Sequence, residues 1–269
     1  MGKRTFEKYI PSFPANEKEN RPLFFNHISK TGGTSLTGIL FSIAVYNRKP
    51  YCFIPKQFGD GLKPLPKNIK ESNAMVFAGE SPFGFHSNFE KTFNLVTVIR
   101  NPVERIVSEY FWICRYENRR QEISYADFEN YLRVKVVHNI CAHYICGKRV
   151  LDEEKIQKIW KKNLKQYFAF CTTGNLDHMA SWLLSRYQSA SVVFNDAKKE
   201  IDSRKYDFED KFGDQIIKYN KMDYAIYDYA QSNEQEFFLT NKEMKTSNSN
   251  TIAITNIGGK SFTFEMGKV

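Results

Sequence analysis

Two segments of this 269-residue chain each run from a short, dense apolar stretch through a polar turn into an amphipathic stretch. That repeated order constrains the fold more than any other feature. The first segment is LFFNHI (23–28), then SKTGGTS, then apolar residues at Leu36, Ile39, Leu40, Ile43 and Ala44, the three-and-four spacing of a helix. The second is FNLVTVIR (93–100), followed by NPVERIVSEYFWICRY. Its nearly continuous, β-branched character suits a parallel strand covered on both faces. Asn101 is a good helix N-cap, and Pro102 fits the first helical position.

Further strands are expected at AMVFAG (74–79) and YFAFCTT (167–173). Helices are expected over 125–166, at DHMASWLLSRY, and as one long helix over 207–231. FIPKQFGDGLKPLPKN, rich in Gly and Pro, reads as a loop. Alternating strands and helices predict an α/β fold, a mainly parallel central sheet flanked by helices in three layers, P-loop-like at its start. The expected organisation is a polar N-terminal arm (1–21), one domain (22–232) and a C-terminal tail (233–269). Within the tail, TIAITNIGGKSFTFEM (251–266) carries a β-hairpin signal.

The loop SKTGGTS has the composition of an anion cradle. A helix N-terminus offers free N–H groups and the positive end of the helix dipole. Gly32 and Gly33 let a backbone approach an oxyanion; Thr31, Thr34 and Ser35 add hydroxyls; Lys30 adds a charge at the mouth. The lysine precedes the glycines, whereas the usual nucleotide-triphosphate loop places it after them. Kinase or NTPase chemistry is therefore the weaker reading. At the end of the second strand Arg100 can grip a phosphate bidentately, and Arg105 and Ser108 share a helix face. Arg105 also suits an ion pair with a nearby carboxylate.

HISKTGGTSL resembles the 5′-phosphosulfate loop of sulfotransferases that use 3′-phosphoadenosine-5′-phosphosulfate (PAPS), with Ser29 where the pattern has proline. VIRNPVERIVSEY resembles their 3′-phosphate motif, with Asn101 in place of aspartate. Within that family the two motifs resemble the branch of heparan sulfate 2-O-sulfotransferases and bacterial homologues. It implies PAPS as donor, PAP as product, no metal, and a hydroxyl acceptor, expected to be a carbohydrate, neutral or anionic. It also implies a donor site of Lys30, Thr31, Gly32, Gly33, Thr34, Ser35, Arg100 and Ser108.

Sulfuryl transfer needs stabilisation of the charge developing on the leaving phosphate, and a base for the acceptor hydroxyl. Lys30 is the candidate for the first. Relatives carry G-H-x-P-x-G-x-H after the second strand, and their first histidine is the expected base. Here the segment is GESPFGFH, with Glu80 at that position and His86 at the last. Glu80 is the expected base and His86 the alternative. A chain that binds PAP or PAPS without transferring sulfonate is a third reading.

The remaining features add limits. Net charge is +9 and the pI about 9.1, which suits an anionic ligand. No nucleic-acid motif accompanies that charge. The five cysteines are scattered and form no disulfide framework. No secretory apolar region and no membrane-length apolar run occur, so a soluble, cytoplasmic protein is expected. His138, Cys141, His143 and Cys146 lie close in sequence but point in different directions on a helix, so no metal site is expected there. Helix 152–166 sets Ile156, Ile159, Trp160 and Leu164 against Lys155, Lys158, Lys162 and Lys165, a solvated cationic face. The oligomeric state is not legible.

Overall fold

A computed structural model describes residues 4–5, 21–57, 65–134, 137–148, 153–187, 192–194, 202–233, 249–257 and 260–267. After β1 (Arg4–Thr5), five strands build the central sheet: β2 (Leu23–Asn26), β3 (Tyr51–Phe53), β4 (Val76–Gly79), β5 (Asn94–Ile99) and β6 (Ala169–Thr172). Their spatial order is β3-β4-β2-β5-β6, and every neighbouring pair is parallel. The expected three-layer α/β fold is present.

Alternation along the strands sorts the side chains into two layers. Leu23, Phe25, Val76, Ala78, Val96, Val98, Ala169 and Cys171 pack with α1 (Gly33–Tyr46) and, further along the chain, helix α7 (Leu176–Arg186). Phe24, Phe77, Leu95, Ile99 and Phe170 face the opposite layer, which holds α5 (Ile140–Cys146), α6 (Glu153–Leu164) and α9 (Lys221–Asn233). Because both sheet faces are covered, β5 is buried along its whole length, and its sequence is correspondingly apolar. A third cluster joins α3 (Pro102–Tyr116), α4 (Tyr125–Leu132) and α8 (Arg204–Tyr219) through Tyr110, Phe111, Phe128, Phe208 and Phe212.

Local expectations held at α3, where the Asn101 side chain accepts from the Val103 N–H at 2.9 Å ahead of Pro102. On α6, Ile156, Trp160 and Leu164 are buried while Lys155, Lys158, Lys162 and Lys165 are exposed. The single helix expected over 207–231 is instead two helices, α8 and α9, broken at buried Asn220. The Asn220 amide donates to the Ile216 carbonyl at 2.8 Å and its side-chain oxygen accepts from the Asn139 N–H at 2.8 Å. These bonds compete with helix continuation. In return Asn139 Oδ1 accepts from the Met222 N–H, and Asp223 accepts from the Cys141 and Ala142 N–H groups. The break and the start of α5 therefore cap each other.

The segment read as a loop from Phe53 begins in a strand, because Phe53 ends β3. It also leads into a short helix, α2 (Lys67–Lys70). β3 is an edge strand of three residues with Phe53 exposed, too short to show a periodic pattern. In a second, antiparallel sheet of order β1-β7-β9-β8, β7 (Val192–Phe194) pairs with β1 and β9. The tail strands β8 (Ser249–Ile257) and β9 (Lys260–Gly267) pair antiparallel. Gly258, Gly259 and most of the expected N-terminal arm lie outside the described residues.

Candidate functional site

The chain leaves β2 toward β3 and β4 on one side and leaves β5 toward β6 on the other. The carboxyl ends of β2 and β5 thus flank the switch in strand order, where open α/β sheets bind ligands. Lys30 to Ser35 emerge from the first end and Arg100 from the second.

The loop after β2 is tightly built. Gly32, in the left-handed region at φ 82°, caps α1, and its carbonyl accepts from the Ser35 and Leu36 N–H groups. The Gly33 and Thr34 amides therefore precede the first helical bond, as an anion site requires. A Cβ at Gly33 would lie 1.8 Å from the His27 ring nitrogen Nε2, so glycine alone fits beneath that imidazole. Thr31 is buried and its hydroxyl donates to the Ile28 carbonyl at 2.8 Å. Its hydroxyl is thus committed to the loop, and its backbone N–H is what it can offer a ligand. Thr34 and Ser35 are exposed. Lys30 has φ 67°, a strained conformation for a lysine, of a kind that gathers at ligand sites.

The two strand ends touch. Arg100 Nη1 donates to the Lys30 carbonyl at 3.3 Å, and Arg100 Nε pairs with Glu104 at 3.0 Å. Ser108 lies buried on α3. Arg105 is buried and paired with Glu109 at 2.6 Å, so its guanidinium serves the core of this region.

Four cations gather here. Lys30 titrates near 8, below the ordinary lysine value, because burial strips water from the ammonium and Lys205 and Arg100 repel it; Glu109 opposes the shift and Arg115 adds to it. Lys205 is likewise lowered, by burial and then by Arg100 and Arg115. Trp112 stands 5.5 Å beneath the Lys30 ammonium. Such mutual repulsion is relieved by a bound anion. Sequence reading missed Lys205, Arg115 and Trp112. Lys205 had one available signal: it occupies the first turn of α8, where the helix dipole disfavours a cation. Trp112 and Arg115 follow Ser108 at four and seven residues along α3, on Ser108's side of the helix.

Glu80 follows β4, beside the end of β2. Its Oε1 accepts from the Ser29 hydroxyl at 2.7 Å and its Oε2 pairs with Lys56 at 2.9 Å. Burial alone would raise the carboxyl; the hydrogen bonds from Lys56 and Ser29 and the charge of Lys56 outweigh it and hold Glu80 below the usual glutamate range. Nearby His27 is lowered chiefly by burial, with Glu80 opposing and Lys30 and Lys56 adding, so its imidazole is neutral at pH 7. His86 sits apart from these charges, edge-on to Phe24 and Phe83, with Nδ1 buried and unpartnered. Burial lowers its pKa. Among the described residues no three His, Cys, Asp or Glu side chains group as a metal ion would require.

A model described as the sulfotransferase family matches residues 15–230. The chain belongs to the sulfotransferase family. No curated protein matches the chain. The family match spans both cradles and all five strands of the parallel sheet, and it carries sulfonate transfer as the general activity. Among the described residues, no helix is long and apolar enough to cross a membrane.

Proposed function

We propose that this family member takes its sulfonate from PAPS and passes it to a hydroxyl of a carbohydrate acceptor. The observation that carries the donor assignment is the meeting of Lys30, Arg100, Arg115 and Lys205 at the switch between β2 and β5, with burial and repulsion holding Lys30 near 8. The residues suit a ligand with two anionic ends. The amides of Gly33 and Thr34, the exposed Thr34 and Ser35 hydroxyls and Lys30 face the 5′-phosphosulfate; Arg100 and Ser108 hold the 3′-phosphate. The carbohydrate assignment rests on the likeness of the two motifs to the 2-O-sulfotransferase branch.

In the transfer, the bond from sulfur to the bridging oxygen breaks as the bond from sulfur to the acceptor oxygen forms. Lys30 stabilises the charge that grows on the leaving phosphate. The acceptor proton passes to Glu80, which is ionised at neutral pH and stands one strand from Lys30, next to Ser29. His86, enclosed by phenylalanines, is the less suited of the two candidates. No residue of this scheme calls on a metal ion.

A second reading has one observation behind it: both Glu80 oxygens are already engaged, which suits a protein that holds the nucleotide without transferring sulfonate. Radiolabelled PAPS, incubated with a panel of neutral and acidic oligosaccharides, separates the two. Transfer to an oligosaccharide that falls by ~100-fold or more in Glu80→Gln, with PAP binding retained, supports the proposal. PAP binding without transfer to any of them supports the second reading.

A further inference from the structure

We infer that Ser29 and Lys56 are positioning residues that fix the Glu80 carboxylate, one on each oxygen; the inference rests on the reading of Glu80 as base. Three chain segments meet at this point. Ser29 comes from the end of β2, Glu80 from the end of β4, and Lys56 from the stretch after β3. That stretch is itself clamped to β4: the Ile54 N–H donates to Ala78 at 2.8 Å and the Gln57 N–H donates to Glu80 at 2.7 Å. The approach is so close that a Cβ at Gly79 would lie 2.1 Å from the Ile54 carbonyl oxygen. Glu80 is thus held through its backbone by the same segment that presents Lys56 to its side chain.

The consequence for chemistry is directional. An ionised carboxylate has about four lone-pair sites. One on each oxygen is taken by a donor, so the side chain has a single favoured orientation and free lone pairs remain to receive a proton. A base fixed in this way loses less entropy on reaching the productive geometry. The contacts also tie together two of the three places where the motifs depart from the pattern they resemble. Serine supplies a hydroxyl where the pattern has proline, and glutamate supplies its acceptor where the pattern has histidine. Proline at position 29 would leave Oε1 without this donor.

The groups facing Glu80 are Lys56 beyond β3, Ser29 and His27 beyond β2, and Tyr144 on α5. Lys56 is the nearest full positive charge and is 62% exposed, so its influence is screened by salt. The test is a ¹³C NMR titration of protein labelled at the glutamate carboxyl carbon, with the Glu80 signal assigned by its loss in Glu80→Gln. In Lys56→Met the Glu80 midpoint should rise by about one pH unit. Ser29→Ala should move it the same way by less, and Lys56→Arg should restore it. Calorimetry with PAP should show affinity within about twofold of wild type for Lys56→Met and Ser29→Ala, because both side chains point to Glu80 and neither belongs to the proposed donor site. A Glu80 midpoint unmoved in Lys56→Met and Ser29→Ala overturns the inference. This titration reads the carboxylate without any acceptor, so its failure is distinct from failure of the base assignment, which the Glu80→Gln transfer assay tests. Where an oligosaccharide accepts sulfonate, Lys56→Met should lower kcat, leave the KM for PAPS unchanged, and shift the acid limb of the rate profile upward by the same amount as the NMR midpoint. A rate loss with no shift of that limb contradicts a positioning role.

Discussion

The Arg100 guanidinium donates to the Lys30 carbonyl at 3.3 Å while its Nε holds Glu104 at 3.0 Å. One side chain thereby joins the end of β5 to the loop after β2, and the strained Lys30 backbone is supported from the neighbouring strand. Lysine has a single donor head and cannot span both partners. Arg100→Lys should therefore weaken PAP binding by about tenfold, or 1.4 kcal/mol. Its thermal shift at saturating PAP should shrink in step. Calorimetry and a melting curve check this together.

Lys30 makes nucleotide binding pH-dependent in a defined direction. Free, its ammonium titrates near 8; beside a bound phosphate its pKa rises. Below 8 Lys30 already carries its proton, and binding requires no uptake there. Above 8 a proton must be taken up on binding, so PAP affinity should fall between about pH 8 and 9.5, by at most tenfold per unit. Calorimetry at pH 8.5 in buffers of different ionisation enthalpy should register the uptake. Lys30→Met should abolish it, and Lys205→Ala should move its onset to higher pH by removing a repelling charge.

Gly33→Ala puts a methyl into the His27 ring. Overpacking of this kind costs about 1–3 kcal/mol. The melting temperature should drop by several degrees and PAP affinity should fall, because the loop must shift. Gly33→Ala combined with His27→Ala should recover most of the stability, which a melting curve reads directly.

Arg105 and Glu109 test the division of labour on α3. Removing one member of a buried ion pair costs about 3–5 kcal/mol. Arg105→Ala should lose stability of that order in denaturant unfolding. Where it remains folded, its PAP affinity should stay close to wild type, in contrast to Arg100 variants.

The legible parts of this chain were those with two-sided burial or strict local chemistry. β5 shows itself because neither face meets water, and α3 because Asn101 and Pro102 mark its start. The glycine loop after β2 is legible for the same local reason, and its Lys30 meets Arg100 because β2 and β5 are neighbours in the sheet. Other features depend on residues far apart in sequence. Asn220 ends α8 because Asn139, on another segment, accepts and donates across the gap; no periodicity reveals it. β3 is too short and exposed to carry an alternating pattern. Lys205 reaches Lys30 only because α8 packs on α3 through Phe111 and Phe208. The Ser29–Glu80 bond joins positions 51 residues apart, and each reads in isolation as a departure rather than as half of a pair.

The central claim is that the two cradles hold the two ends of one nucleotide. The measurement that tests it most directly is calorimetric titration of PAP and of adenosine 5′-phosphate, which lacks the 3′-phosphate, into wild type and Arg100→Ala, with ATP–Mg²⁺ in parallel. The account predicts that wild type binds PAP far more tightly than either comparison nucleotide, and that Arg100→Ala loses about 30-fold, some 2 kcal/mol, for PAP while scarcely changing for adenosine 5′-phosphate. Equal binding of PAP and adenosine 5′-phosphate by wild type, or tighter binding of ATP–Mg²⁺, would contradict it.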